Sequence, residues 1–305
     1  MVLLKVFCYV WHLNRKIKDK IKFRIMSNNQ KTSGGFSSLM AAIAIVIALV
    51  IGVLIYKLVF GNPANFVNGI KDAKANLPYW ENEPVEEGVG HIFGLIHKGG
   101  FIVPILVAIN IIIITFSVER FITLTRAKGK GSIDKFISKV KGLLETKEVA
   151  TAIEECDAQR GSLANVVRAG LEKYSHVAED NSMDKEQKIE SLKKELEEAT
   201  ALELPMLSKN LVVLSTCASI ATLVGLIGTV LGMISSFAAM SSGTPDPAKL
   251  SAGISEALIN TAFGITGSTI AIVMYNFFST KVDTMTYSID EAAFTIVQDF
   301  SASNK

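Results

Sequence analysis

The chain has 305 residues, of which 49% are hydrophobic and 20% are charged, and its formal net charge is +2. A mean hydropathy of +0.36 is high for a soluble domain of this size and disfavours a soluble enzyme. The high apolar content and the ordinary numbers of Gly and Pro exclude a disordered or collagen-like chain.

Four long uncharged runs predict four membrane-spanning helices. The first lies between Lys31 and Lys57, and the others cover residues 99–118, 210–245 and 257–280. Each run reaches the roughly 20 residues that a helix needs to cross a ~30 Å hydrocarbon core. Backbone polar groups in lipid must be satisfied within the segment, so the runs predict helices rather than strands.

The distribution of charge predicts the orientation of these helices. Residues 1–31 carry eight basic side chains and a single acidic one, whereas residues 61–98 are acidic on balance. Basic segments favour the cytoplasmic side, so we expect a multi-pass membrane protein with both termini in the cytoplasm. Met26 is an alternative start, which would make residues 1–25 an extension.

The water-exposed region between the second and third runs is helical in pattern. Ser132 is placed to cap a first helix and Thr146 a second, and a charge-rich helix starts at Asp184. We expect this last helix to continue past Pro205 into the third span. Residues 91–96 predict a short amphipathic helix at the outer interface.

No residue pattern indicates an enzyme, a cofactor or a metal. The cysteines Cys8, Cys156 and Cys217 are not placed to pair within one compartment, so no disulfide framework is expected. Phosphate-binding loops, nucleophile elbows and zinc motifs are absent from the sequence. We expect no nucleic-acid partner, and membrane lipid is the expected surrounding.

The third and fourth runs differ from the first two because small and polar side chains recur along one face. In the third run they are Ala218, Ala221, Thr222, Gly225, Gly228, Thr229, Gly232 and Ser236. In the fourth they are Ala257, Asn260, Thr261, Gly264, Ser268 and Ala271. Small residues let helix backbones approach closely in a bilayer, which accounts for the glycines. The hydroxyl and amide groups also offer donors and acceptors to water or an ion crossing the membrane.

Glu256, at the outer end of the fourth run, has two interpretations: its carboxylate either extends to the interface or faces a polar interior. No other acidic residue lies in a span, so a mid-membrane carboxylate that relays protons would have to come from a partner.

Specific motifs make the chain resemble the MotA/TolQ/ExbB proton channel family. Residues 225–234 read GLIGTVLGMI, and residues 256–264 read EALINTAFG. The resemblance to the ExbB/TolQ branch also rests on HKGG at 97–100, ER at 119–120, GSL at 161–163 and RAGL at 168–171. The likeness covers about residues 92–283 of the chain.

This resemblance implies an all-α integral protein of the bacterial inner membrane with a three-span core. The first uncharged run adds an extra N-terminal span to that plan, and residues 119–209 are expected to form a helical cytoplasmic domain. It implies a homo-oligomeric ring, usually a pentamer, around a dimer of a small single-span ExbD-like partner. Proton flow past that partner's membrane aspartate would drive motion that a TonB-like protein passes to outer-membrane transporters. Thr229 and Thr261 match the family's pore threonines, and Glu256 matches its last-span glutamate.

From the stripes and the resemblance together, we assign two groups of site residues. The predicted pore or proton pathway consists of Thr222, Glu256, Thr229, Asn260, Thr261 and Ser268. The predicted helix-packing residues are Gly225, Gly228, Gly232, Gly264 and Gly267.

Departures from the family pattern leave the ion and the role of the first span open. Thr222 and Ile270 stand where such proteins usually have Pro, and Thr266, Ser268 and Thr269 add hydroxyls. Extra hydroxyls would also suit a sodium path. Two alternatives remain: a MotA-like stator that drives other envelope or motility work, and a non-conducting scaffold whose stripes only pack helices.

The predicted segments, in chain order, are a basic cytoplasmic tail (1–36), an extra transmembrane helix (37–60), a periplasmic segment with an interfacial helix (61–98), a transmembrane helix (99–118), a helical cytoplasmic domain (119–209), a pore helix (210–238), a periplasmic loop (239–255), a second pore helix (256–280) and a cytoplasmic tail (281–305).

Overall fold

The computed structural model describes residues 43, 45–67, 83–179, 182–241 and 246–303. Within these ranges the regular structure is helical, apart from one isolated bridge between Phe66 and Pro84. The helices are α1 (Ile45–Phe60), α2 (Val89–His97), α3 (Val103–Ala127), α4 (Ile133–Glu145), α5 (Val149–Gln159), α6 (Ser162–Glu179), α7 (Lys185–Ser208), α8 (Leu211–Ser241) and α9 (Pro247–Ser303). The predicted basic tail, Met26 and Cys8 lie outside the described residues.

Three helical stretches are long and apolar enough to cross a membrane: Gly100–Ala127, Lys185–Met240 and Pro247–Ala302. They cover most of the second, third and fourth uncharged runs, and the stretch Lys185–Met240 is interrupted at residues 209–210. The helical prediction is confirmed for the described residues of these runs. The described part of the first run forms α1, an apolar helix too short to count with the other three.

Helix α9 extends well beyond the predicted span on both sides. It has 57 residues, which corresponds to about 85 Å at 1.5 Å per residue. Asp246 caps its start, because its Oδ1 accepts hydrogen bonds from the backbone N–H groups of Ala248 (3.0 Å) and Lys249 (3.3 Å). Residues 239–241 and 247–255 of the predicted loop, and residues 281–303 of the predicted tail, are therefore helical.

The prediction that α7 continues into the third span is wrong. Pro205 lies inside α7, as expected, but the helix ends at Ser208. Lys209 is extended, with ψ 140°, and Asn210 has a positive φ of 63° before α8 begins. Asn tolerates this left-handed conformation better than most residues, so Asn210 sets the break between the two helices.

Helices α4, α6 and α7 pack against the second half of α9, and α5 packs against α4 and α6. The α4 side chains Phe136, Val140 and Leu144 are buried in the same core as Ile289 and Phe300 of α9. The long last helix is therefore the axis around which this helical domain is built.

The two predicted helix caps of this domain have different outcomes. Ser132 precedes α4, as predicted, although its side chain makes no capping hydrogen bond. Thr146 instead follows the end of α4, where its hydroxyl donates to the Leu143 carbonyl (3.1 Å). Lys147, with φ 62°, then turns the chain, so α5 starts only at Val149 and the N-cap role predicted for Thr146 is wrong.

Helix α1 contacts α3 through its smallest side chains. Ala48 is buried, and a Cβ atom added at Gly52 would lie 2.6 Å from the Pro104 carbonyl oxygen. Next along this face, the Tyr56 ring stacks on the His97 ring of α2, with 4.6 Å between centroids. Most large side chains of α1, such as Val46 and Leu54, are exposed, which suits a helix surrounded by lipid.

The close contact at Gly52 leads to a first expected result. Gly52→Val places new atoms against the backbone of α3, so we expect a loss of about 1–3 kcal/mol in unfolding free energy. Leu54→Val, an exposed position on the same helix, should change stability by less than about 1 kcal/mol. Thermal unfolding of the purified protein measures both, and equal stabilities would contradict the α1–α3 contact.

Candidate functional site

Three of the predicted packing glycines, Gly225, Gly232 and Gly264, lie where the backbones of α8 and α9 are in close contact. A Cβ atom at Gly264 would lie 2.6 Å from the Ala221 carbonyl oxygen and 2.9 Å from the Gly225 Cα. One at Gly232 would lie 2.7 Å from the Gly253 carbonyl oxygen. Because larger side chains do not fit at these distances, the glycines set how closely the two helices pack.

The glycines Gly228 and Gly267 face asparagine side chains. Gly228 lies directly against the side chain of Asn260. A Cβ atom at Gly267 would lie 2.8 Å from Oδ1 of Asn110 on α3. The two glycines therefore make room for amide groups at the α8–α9 and α3–α9 contacts.

The structure brings the two predicted pore threonines together. The hydroxyl oxygens of Thr229 on α8 and Thr261 on α9 are in direct contact. The Thr229 hydroxyl is also within hydrogen-bond distance of the Gly225 carbonyl (3.2 Å). Both residues are half-buried, so the hydroxyl pair lies at the edge of the α8–α9 contact rather than deep within it.

Glu256 is directed into the protein rather than towards the interface. Its side chain lies against Gly100, just before α3, and the residue is only 7% exposed. Gly100 has a φ of +72°, and a Cβ atom there would overlap the carboxylate. Of the two orientations that the sequence left open, the structure has the interior one, and Gly100 makes it possible.

The remaining predicted pathway residues occupy two places. Asn260 is fully buried between α8 and α9. Further from Glu256, Ser268 and Thr222 line an open groove of about 310 Å³ together with Ser215, Ser219 and Tyr275. Thr222 is exposed, and its hydroxyl donates weakly to the Ala218 carbonyl (3.4 Å).

The additional hydroxyls Thr266 and Thr269 lie away from this contact. Both residues are exposed, and they donate to carbonyls of their own helix, Ala262 (2.7 Å) and Ile265 (2.8 Å). This bonding satisfies the hydroxyls locally, so these residues differ from Thr229 and Thr261 in both place and partners.

The ER pair at 119–120, which the sequence analysis used only as a family motif, holds a buried charge in the second half of α3. The Arg120 side chain is 1% exposed and donates two hydrogen bonds to the Glu119 carboxylate, at 2.7 and 2.5 Å. Glu119 also accepts a bond from Asn210 (3.3 Å), the residue that separates α7 from α8. The Glu119–Arg120 pair thus connects α3 with the residues between α7 and α8. Its signal in the sequence was an adjacent acid and base where a span ends.

Removing the carboxylate from this pair should destabilise the fold. Glu119→Gln leaves the Arg120 charge buried, and we expect a loss of about 2–3 kcal/mol, less than for a fully enclosed pair because Glu119 is 39% exposed. Glu198→Gln, in the exposed pair with Lys194, should cost less than about 1 kcal/mol. Equal losses in denaturant-induced unfolding would show that the Arg120 charge is compensated by other groups.

The described residues give little support for a metal site or for a reactive thiol. These residues contain no group of three or more His, Cys, Asp or Glu side chains that could hold a metal ion. Cys156 is buried in the core of the helical domain formed by α4–α7 and α9, and desolvation raises its pKa to about 12. Its thiol is therefore protonated at physiological pH and is not a ready nucleophile.

Comparison with known proteins shows which family the region around these two helices resembles. Residues 158–291, which include Thr229, Glu256 and Thr261, match the model of the MotA/TolQ/ExbB proton channel family. Over these residues the chain is similar to this family, and the similar proteins include ExbB and TolQ proteins.

Three relatives illustrate the extent of the similarity. An ExbB-like protein of Synechocystis, ExbB-like 3, is 38% identical, over 27% of this chain and 41% of the relative. The Tol-Pal system protein TolQ of Pseudomonas aeruginosa is 32% identical, over 38% of this chain and 51% of the relative. The biopolymer transport protein ExbB of Pseudomonas putida is 31% identical, over 58% and 55%. The chain thus spans about half the length of these relatives.

Proposed function

We propose that the chain is a ring-forming subunit of an ion channel in the bacterial inner membrane, driven by the proton motive force. With an ExbD-like partner it would energise TonB-dependent transport across the outer membrane. The observation that carries this proposal is the contact between the Thr229 and Thr261 hydroxyls, on two long apolar helices that match a proton channel family.

The proton carrier in this proposal comes from the partner. Helix α8 has no acidic residue, and the acidic residue of α9 nearest the threonines is Glu256, just over one turn before Thr261. A carboxylate on a partner helix, placed beside the hydroxyl pair, would gain hydrogen bonds in either protonation state, because a hydroxyl both donates and accepts. In a low-dielectric setting such bonds favour a proton-binding site at this depth.

The proposed ring would cover the exposed apolar faces of α8 and α9. Over their most apolar 18 residues, the stretches containing α8 and α9 are 33% buried, whereas the stretch containing α3 is 56% buried. Leu223, Leu226 and Val230 of α8 are exposed in the isolated chain. Neighbouring copies, the partner helices and lipid would cover them, and we propose a pentamer. Native mass spectrometry of the purified complex tests the stoichiometry.

We also propose that α1 belongs to a fourth span outside the ring, with both termini in the cytoplasm. Its exposed aliphatic side chains and the basic residues that precede it support this arrangement. In the same proposal the chain is not an enzyme and needs no cofactor. The chemistry of ion transfer then rests on hydroxyl and carboxyl groups.

Two other functions remain as alternatives. The TolQ relatives favour other envelope work, in a Tol-Pal-like or stator-like machine. A non-conducting scaffold would need only the close helix packing at Gly225 and Gly264.

Purification of the full-length chain from its native membrane distinguishes these functions. We expect a small single-span protein with an aspartate in its span to co-purify, identified by mass spectrometry. A partner with a peptidoglycan-binding domain would instead indicate a stator. Absence of any single-span partner would contradict the proposal.

A further inference from the structure

Asn260 is the buried polar group of α9 that the proposed threonine site leaves unexplained. Its side chain is 0% exposed, and neither its Oδ1 nor its Nδ2 has a hydrogen-bond partner among the described residues. The amide lies against Gly228, whose missing side chain provides the space. Asn110 of α3 differs, because its Nδ2 donates to the Leu106 carbonyl of the preceding turn at 2.8 Å.

A buried amide without partners is costly in a membrane, so Asn260 requires a ligand. Complete burial within one chain prevents a neighbouring subunit or a partner helix from reaching it. The ligand must therefore be small and must both donate and accept hydrogen bonds, because the amide has an unpaired acceptor and an unpaired donor. Water has both properties, and buried waters are typically held by such polar groups.

The position of Asn260 links it to the other polar groups of the site. Glu256 lies four residues earlier in α9, so the two side chains project from the same face of the helix. Thr261 is the next residue, and Gly228, opposite Asn260, is followed by Thr229. Along the axis of α9, Asn260 thus lies between Glu256 and Thr261.

We propose that Asn260 holds a water molecule between α8 and α9, and that this water connects Glu256 with the Thr229–Thr261 pair. Asn260 is then a positioning residue. It exchanges no proton itself and orients the water that continues the polar path from the outer end of α9. The conducting role of this water rests on the proposed function, whereas its presence does not.

Solid-state NMR on the full-length protein in lipid bilayers tests for the water directly. We expect magnetisation transfer from water protons to the Asn260 side-chain amide, as rapid as at a hydrated surface amide. Asn260→Asp removes this amide signal and so assigns it. The Asn110 amide, bonded within its own helix, serves as the internal reference and should show slower transfer.

Proton flux tests the role of the water. In liposomes containing the co-purified complex, Asn260→Val should lower flux roughly tenfold or more, at unchanged complex yield. Asn110→Val, the matched control, should retain flux within about twofold of wild type. This change is smaller than the change in flux expected from the loss of a buried hydrogen bond. A hydrated Asn260 together with this loss of flux would support the proposal.

The two measurements separate this inference from the proposed function. A conducting complex in which the Asn260 amide receives no magnetisation from water would overturn the water site alone. Wild-type flux in Asn260→Val would overturn the link between the water and the threonine pair. A hydrated Asn260 in a wild-type complex that carries no protons would support the water site and overturn the proposed function.

Discussion

Replacing Thr229 or Thr261 with Val is expected to reduce the TonB-dependent uptake of the proposed function about ten- to a hundredfold, with the yield of assembled complex unchanged. Valine nearly preserves the shape and volume of threonine but lacks the hydroxyl. The two hydroxyls contact each other at the α8–α9 boundary. Loss of either one removes a hydrogen-bonding partner for a proton or hydrated ion in a low-dielectric setting, at a cost of roughly 1–3 kcal/mol.

Two other threonines of α9 provide controls for this result. Thr266→Val and Thr269→Val remove hydroxyls that are exposed and bonded to their own helix, so uptake should remain near the wild-type level. Equal damage from these controls would mean that the Thr229–Thr261 contact is not special. Normal uptake in both pore variants would mean that these threonines only pack the helices.

Replacing Gly264 with Val should prevent α8 and α9 from packing and remove most of the assembled complex. A Cβ atom there already meets the Ala221 carbonyl oxygen at 2.6 Å and the Gly225 Cα at 2.9 Å. Both neighbours are backbone atoms, which cannot rotate away as a side chain can. We expect a loss at or above the roughly 1–3 kcal/mol typical of overpacking.

Gly142→Val is the matched control for this substitution. Gly142 lies in α4, and a Cβ atom there would meet no heavy atom within 4 Å among the described residues, so the yield should not fall. The yield of complex after gentle solubilisation measures both variants. A normal yield from Gly264→Val would show that the two helices can separate without loss of assembly.

Helix existence could be predicted from the sequence because its signals are local. The long uncharged runs predicted the three membrane-length helices, and Asp184 marked the start of α7. The ends of the helices were harder to predict, because they depend on individual residues and on their neighbours in the folded structure. The break at Asn210 rests on one left-handed residue whose side chain binds Glu119, a residue 91 positions away in the chain.

From the sequence, the side chains of the candidate site could be assigned to helix faces, but their contact partners on other helices could not be identified. The spacing of Gly225 and Gly264 put each on a stripe, yet a period does not reveal which element a stripe contacts. The structure has the two stripes against each other within one chain. The burial of Glu256 depends on Gly100, more than 150 residues away, and no local pattern in the sequence encodes that contact.

Proton flux through the purified complex, reconstituted in liposomes under an imposed membrane potential, tests the central claim most directly. We expect wild-type complexes to carry protons at a rate that Thr261→Val lowers about ten- to a hundredfold, as expected for the loss of a hydrogen bond at the barrier. Proton-tight liposomes with fully assembled wild-type complex, or equal flux in wild type and Thr261→Val, would contradict an ion pathway at the α8–α9 threonines.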